Sequence, residues 1–140
     1  MNDTNTETVI ALWSRSTDIV RKIDAGLGAI HGIGFTEYMV LHQLMVANNK
    51  TMRRIDLADS IGRTASGVTR MLMPMQKIGL VVKEANARDA RVSLVKITEA
   101  GEGIYRDASA TLAQSSSREL RRLNKAQGDE FLVLLQQLAD

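Results

Sequence analysis

Cysteine is absent from this 140-residue sequence, and its absence excludes several kinds of site. Without thiols the chain forms no disulfides or thiolate metal sites, and it cannot sense oxidants through cysteine, which fits a reducing cytoplasm. No uninterrupted apolar run approaches the roughly 20 residues that a membrane span needs. Residues 1–7 are polar and acidic, unlike a signal peptide. We therefore expect a cytoplasmic protein without membrane association.

Proline and aromatic residues are also scarce, with one Pro, one Trp, two Tyr and two Phe. This scarcity favours a mainly helical protein over a β-sandwich or barrel. The composition, 44% hydrophobic and 24% charged, is that of a globular chain. Its length suits one compact domain and is too short for two ordinary ones. We predict a single domain over residues 1–140.

Side-chain patterns typical of enzymes are missing too. The two histidines, His31 and His42, are separated without any metal-ligand spacing, and no nucleophile and base stand in a recognisable pair. The acidic pairs at 56/59 and 129/130 fall on predicted polar helix faces. We expect no enzymatic activity, no metal and no cofactor.

Positive charge is concentrated in one part of the chain. Residues 50–96 carry ten Lys or Arg against four Asp or Glu, a net charge of +6, whereas the whole chain carries only +2. A basic segment within an acidic remainder is typical of a face that meets a polyanion.

Long amphipathic helices are predicted at both ends of the chain. Residues 7–31 have helical periodicity and end at a glycine pair. Thr36 is predicted to cap a second, almost wholly apolar helix over residues 37–47, and Thr98 to cap a third long one. Asn124 and Gln127 form a capping box for the last helix. That helix is predicted to bury five apolar residues: Phe131, Leu132, Leu134, Leu135 and Leu138. Because the terminal helices have little local protein to cover them, we expect a partner subunit.

The central segment has the pattern of a winged helix-turn-helix. A short helix over residues 52–61, with Ile55, Leu57, Ala58 and Ile61 inward, precedes Gly62. A second helix opens at Thr64 and ends at Gly79, and a hairpin with a polar tip at residues 86–91 follows. One face of that helix is predicted to pack on the core through a stripe of apolar side chains that ends at Met75 and Ile78. Pro74 predicts a kink or break near residues 72–73. Such a unit usually sets its second helix in the DNA major groove.

Several short motifs, in their order and spacing, resemble the multiple antibiotic resistance regulator (MarR) family of bacterial transcription factors. They are FTEYMVL at residues 35–41, LA at 57–58, VTR at 68–70, GLV at 79–81 and DARVSLVKITEAG at 89–101. The last is the most specific, because it reproduces the family's wing pattern. The resemblance implies a winged helix-turn-helix over residues 35–98, flanked by dimerisation helices at 7–31 and 99–140. It also implies a homodimer on a pseudo-palindromic operator, with each wing in a minor groove.

Candidate DNA contacts follow from these elements. The second helix presents small residues and then an arginine to the groove, and the wing presents basic residues to the minor groove. The predicted contacts are Arg53, Arg54, Arg63, Ser66, Thr69, Arg70, Arg88 and Arg91. We expect Asp89 to stabilise the wing, because an acid facing phosphate would be repelled.

Two functions of different class remain open at this stage. One is a sequence-specific DNA-binding regulator, a repressor in preference to an activator, that a small aromatic or anionic effector releases from double-stranded DNA. Residues suggested for an effector pocket are Trp13, His31, Tyr38 and His42, with Tyr105 beside them. The other is a dimeric helical adaptor that binds a protein. The wing and the reading face favour the regulator, since an adaptor needs neither.

Overall fold

Residues 3–139 are described by the computed structural model; Met1, Asn2 and Asp140, which the predicted domain 1–140 includes, lie outside the described residues. The described chain is mainly helical with one small antiparallel sheet, as predicted. Its elements are α1 (Thr4–His31), α2 (Phe35–Val46), a 3-10 turn (Asn48–Lys50), β1 (Thr51–Arg53), α3 (Arg54–Ser60), α4 (Ala65–Lys77), β2 (Val81–Ala85), β3 (Ser93–Ile97), α5 (Glu99–Glu119) and α6 (Lys125–Gln137).

The sheet has the strand order β1-β3-β2. β2 and β3 form the wing hairpin, with Val81 opposite Ile97, and β1 pairs with the other edge of β3, where Met52 lies opposite Val95. The predicted helix at residue 52 was therefore placed too early. Residues 51–53 form a strand because β3, some 40 residues later, supplies its partner. That pairing is too distant along the chain for local periodicity to reveal it.

Most of the helix ends match their predicted caps. Gly32 ends α1 in the left-handed conformation (φ 72°), and the side chain of Thr98 accepts a hydrogen bond from Gly101 N–H to begin α5. Asn124 and Gln127 form the capping box of α6. The predicted Thr36 cap is wrong, because α2 begins at Phe35 after Gly34. There Asp24 of α1 accepts the Phe35 N–H at 2.8 Å, so a different helix provides the cap.

The core is formed by residues of α1 to α5 and the sheet. Val40, Leu41, Leu44, Leu57 and Val68 are completely buried. Two residues predicted to face inward do not: Ile55 is 57% exposed and Ile78 is 64% exposed. α3 begins only at Arg54 and α4 ends at Lys77, so both residues stand at helix ends where the apolar stripe no longer meets the core.

Pro74 does not interrupt α4, which runs continuously from Ala65 to Lys77. Of the predicted kink or break near residues 72–73, the break is therefore wrong. Proline removes one backbone hydrogen bond, but the buried side chains of Leu72 and Met75 on either side hold the helix against the core.

The C-terminal helix is not covered by the rest of the chain. Phe131, Leu132, Leu134, Leu135 and Leu138 of the last helix and its C-cap, all predicted to be buried, are 39–71% exposed. α1 likewise exposes Val9, Ile10, Leu12 and Trp13. Within one chain the prediction of burial is wrong, since these side chains stay exposed in the structure of residues 3–139.

Candidate nucleic-acid interface

Helix α4 is set in place by a glycine turn and a threonine cap. Gly62 adopts φ 66°, a left-handed conformation that glycine takes at little cost. The side chain of Thr64 then accepts a hydrogen bond from Gly67 N–H at 3.0 Å, which satisfies one of the free donors of the first turn. Of the predicted reading residues, Ser66 and Arg70 are exposed on this helix and Thr69 is half-buried.

Arg54 links α3 to the reading helix. Its Nη1 donates to the hydroxyl of Thr69 at 2.9 Å, and that hydroxyl donates to the Ala65 carbonyl oxygen at 3.0 Å. The sequence predicted Arg54 and Thr69 as two separate contacts, whereas the structure joins them. No sequence pattern points to this pair, because the two side chains meet only once α3 and α4 have packed.

Arg53, the last residue of β1, forms an ion pair with a carboxylate in the first turn of α3. Its Nε and Nη2 donate to the two oxygens of Asp56, at 2.7 and 3.0 Å. These hydrogen bonds lower the pKa of Asp56 below its usual range and raise the pKa of Arg53. Asp56 was not singled out from the sequence as a partner, although the three-residue spacing is typical of such pairs.

Arg63 lies in the turn between α3 and α4 and reaches back towards α2. Its Nη2 donates to the hydroxyl of Thr36 at 3.3 Å. The residue is exposed, so its guanidinium faces solvent beside the start of the reading helix. Thr36, predicted as a helix cap, therefore serves as a contact for Arg63 instead.

The tip of the wing is organised by Asp89. Its carboxylate accepts hydrogen bonds from the backbone N–H of Arg91 at 3.0 Å and from that residue's Nε at 3.2 Å. The Arg91 side chain lowers the pKa of the Asp89 carboxyl, and the backbone N–H adds to the effect. Asn86 accepts the Arg88 N–H at 2.8 Å and shapes the other end of the tip, where Arg88 is exposed. α4 packs against β2, so the wing is attached directly to the reading helix.

Of the residues suggested for an effector pocket, Tyr38, His42 and Tyr105 lie together as one cluster of rings. Trp13 is 70% exposed on α1. His31 is hydrogen-bonded to Thr111 at 2.6 Å, Tyr38 to Ser109 at 2.8 Å and His42 to Tyr105 at 2.7 Å. The rings of Tyr38 and Tyr105 stack with centroids 5.1 Å apart. Four of the five suggested residues thus join α1 and α2 to α5, and burial raises the pKa of Tyr105.

An open groove of about 850 Å³ lies elsewhere, between the end of α2, the sheet and the start of α5. Lys50 and Glu102 line it and form an ion pair at 2.5 Å. None of the suggested effector residues lines this groove. Among residues 3–139 there is no group of three or more side chains able to hold a metal ion, and no helix long and apolar enough to cross a membrane.

A model of a known protein family matches this part of the chain. The MarR family model matches residues 35–93, which span α2, the helix-turn-helix and the wing up to the start of β3. This segment is similar to a MarR family domain. The resemblance seen in the sequence motifs is thereby confirmed. No curated protein sequence matches the chain.

Solved structures of MarR family proteins share the fold over nearly the whole chain. AbsC, a MarR family transcriptional regulator from Streptomyces coelicolor, has 20% identity and a TM-score of 0.84, covering 99% of this chain and 93% of its own. Sco3205 from the same organism, solved in complex with DNA, has 18% identity and a TM-score of 0.85, with 99% and 88% covered. A mutant of MarR from E. coli complexed with operator DNA has 20% identity and a TM-score of 0.83, with 99% and 100% covered. The MarR fold therefore extends beyond the matched segment to the terminal helices.

Proposed function

We propose that the protein is a DNA-binding transcription regulator that acts as a homodimer on a pseudo-palindromic operator, as a repressor. The observation that carries this proposal is the joining of two basic elements in one fold. An exposed Arg70 lies on a capped helix, and an exposed Arg91 lies on a hairpin that packs directly against it. Two MarR-fold proteins similar to this chain were solved with DNA bound, which supports the same role here.

The reading helix is proposed to enter the major groove. Ser66 and Arg70 are exposed there, and the short side chains near the helix start let the backbone come close to the DNA. Arginine is the side chain that most commonly pairs with guanine, by two hydrogen bonds to its major-groove edge. We assign Arg70 to base contact and the helix N-terminus to phosphate.

We propose that the backbone phosphates are contacted by Arg53, Arg63 and Arg88. Arg91 is proposed to enter the minor groove. Arg53 reaches phosphate while still paired with Asp56, because an arginine has five N–H donors and the pair uses two. Contacts of this kind carry affinity and register but little sequence information. They make binding steeply dependent on salt.

The homodimer is proposed on the exposed apolar faces of α1 and α6. A second copy that covered Trp13, Phe131 and Leu134 would remove large apolar side chains from water. Dimerisation would also set the distance between two reading helices, as half-sites one helical turn apart require. Release by a small aromatic or anionic effector belongs to the same proposal, as does a cytoplasmic location.

The experiment that tests this function is selection of duplexes from a random-sequence DNA pool by the full-length protein. We expect recovery of a pseudo-palindrome that wild type binds and that Arg70→Ala binds at least about fivefold more weakly, the smallest loss expected for one good base contact. Arg106→Ala removes an exposed arginine from the middle of α5 and serves as the matched control with unchanged affinity. Recovery of no common sequence would contradict sequence-specific binding.

A further inference from the structure

The hydroxyl of Thr69 is already engaged within the protein, although the residue was predicted to contact DNA. It donates its proton to the Ala65 carbonyl oxygen at 3.0 Å and accepts a hydrogen bond from Arg54 Nη1 at 2.9 Å. A hydroxyl has one donor and two acceptor positions. One lone pair and the methyl group therefore remain for a ligand, and Thr69 cannot donate to a base while both contacts hold.

This restriction removes most of the ways in which threonine reads a base. The major-groove edge of guanine offers the acceptors N7 and O6, and adenine and thymine offer N7 and O4. All of these need a donor, which Thr69 lacks. Thymine also carries the C5 methyl group, with which a threonine methyl makes apolar contact. The remaining lone pair can accept from the amino group of adenine or cytosine, and this alternative must be separated by experiment.

A second apolar side chain continues the same face of α4. Met73 lies one helical turn beyond Thr69, on the same face, and is 62% exposed. An exposed methionine in line with the threonine methyl gives this part of the reading face an apolar character. Arg70, next to Thr69 in the chain, is left to make the polar base contact.

The geometry points to Thr69 as a specificity residue that reads a thymine through its methyl group, with Arg54 as the positioning residue that fixes its hydroxyl. This inference rests on the proposed DNA binding and deepens it. Each half-site then contains an A·T pair whose thymine methyl meets Thr69. Arg54 acts through Thr69 and contacts neither a base nor a phosphate.

The direct test replaces thymine by uracil, which removes only the C5 methyl group. A duplex that the full-length protein recovers from a random-sequence pool is synthesised with uracil at each thymine in turn. We expect one thymine in each half-site at which the replacement weakens wild-type binding about fourfold, the loss expected for one buried methyl group. If no position responds to uracil, the inference is overturned.

Two variants of Thr69 separate its methyl group from its hydroxyl. Thr69→Ser keeps the hydroxyl and should bind the thymine and uracil duplexes equally. Thr69→Val keeps a methyl group and loses the hydroxyl, but valine in a helix holds one side-chain rotamer without help from Arg54 and should retain the preference for thymine. The reverse result, in which the serine variant keeps the preference and the valine variant loses it, would assign the contact to the hydroxyl.

Arg54→Ala tests the positioning role. In this variant we expect the ratio of the affinities for the thymine and uracil duplexes to fall towards one. The slope of log affinity against log salt should stay that of wild type, because no phosphate contact is lost. A slope reduced by about two units, one for each protomer of the dimer, would make Arg54 a phosphate contact and overturn its assigned role. Failure of wild type to bind any duplex at low salt would overturn the proposed function itself, and this inference with it. A missing uracil effect alone would leave the proposed function intact.

Discussion

Asp89 holds one edge of the Arg91 guanidinium while the rest of that side chain stays in solvent. One carboxylate oxygen accepts from the backbone N–H and Nε of Arg91, at 3.0 and 3.2 Å, and the other lies 3.4 Å from Nη2. The arginine side chain nevertheless stays 92% exposed. The wing therefore presents a cation whose direction is fixed in advance, which reduces the entropy that DNA binding must overcome.

Replacing this arginine should weaken DNA binding without affecting assembly. We expect Arg91→Ala to cost about 1–3 kcal/mol in affinity for each half-site of operator DNA, the usual value of one good contact. Fluorescence anisotropy with a labelled duplex measures the change, and Arg106→Ala is the control. If Arg91→Ala binds as tightly as wild type, the wing does not contact DNA.

The pairing of Asp89 with Arg91 predicts a lowered pKa for the Asp89 carboxyl. Arg91 lowers the pKa of Asp89 from its ordinary value of 3.8, so the stability that the pair provides is complete above that value. It is lost only as the pH falls through the lowered, folded-state pKa. Carboxyl carbon NMR should show Asp89 titrating below 3.8 in wild type and nearer 3.8 in Arg91→Ala. An identical pKa in both proteins would show that the pair does not form in solution.

Two glycines of α5 offer a matched test of packing. A Cβ at Gly101 would collide with the Leu80 carbonyl oxygen and lie 2.8 Å from the Ile97 side chain, whereas at Gly103 it would meet nothing within 4 Å. We expect Gly101→Ala to lower the free energy of unfolding by about 1–3 kcal/mol through overpacking. Gly103→Ala should raise it by up to about 1 kcal/mol, because alanine favours the helix. Urea denaturation at equal protein concentration compares them, and equal effects would refute the close contact.

The exposed face of α6 predicts the oligomeric state. Leu134 is 54% exposed in a single chain and Val46, on α2, is 66% exposed, so a monomer should tolerate glutamate at either position about equally. We expect Leu134→Glu to abolish the dimer, with loss of folding where the monomer is not stable alone. Val46→Glu should leave the mass unchanged. Analytical ultracentrifugation measures the mass of wild type and of both variants in solution. A monomeric wild type would contradict the proposed dimer.

Features set by nearby residues could be predicted from the sequence. The Thr98 cap, the Asn124 and Gln127 capping box and the left-handed Gly62 depend on contacts within a few residues, and the structure shows each of them. The wing motif also specified its hairpin, because turn residues and strand alternation are local signals.

Features set by distant residues could not be predicted in the same way. The strand at Met52 needs β3, and the cap of α2 comes from Asp24 on another helix. Ile55 and Ile78 continue an apolar stripe past the ends of their helices, so periodicity overstated the buried face. At the candidate site, the sequence identified Arg54 and Thr69 by residue type, but only the folded chain shows that one holds the other.

The central claim is DNA binding by a surface rich in cations, and a salt titration tests it most directly. Binding of the full-length protein to a random-sequence duplex and to a selected operator is measured from 50 to 200 mM salt. With three phosphate contacts in each protomer of a dimer, about six in all, log affinity should fall with log salt at a slope of about −5. The operator should remain tighter than random duplex throughout. Absence of binding to either duplex at 50 mM salt would contradict the claim.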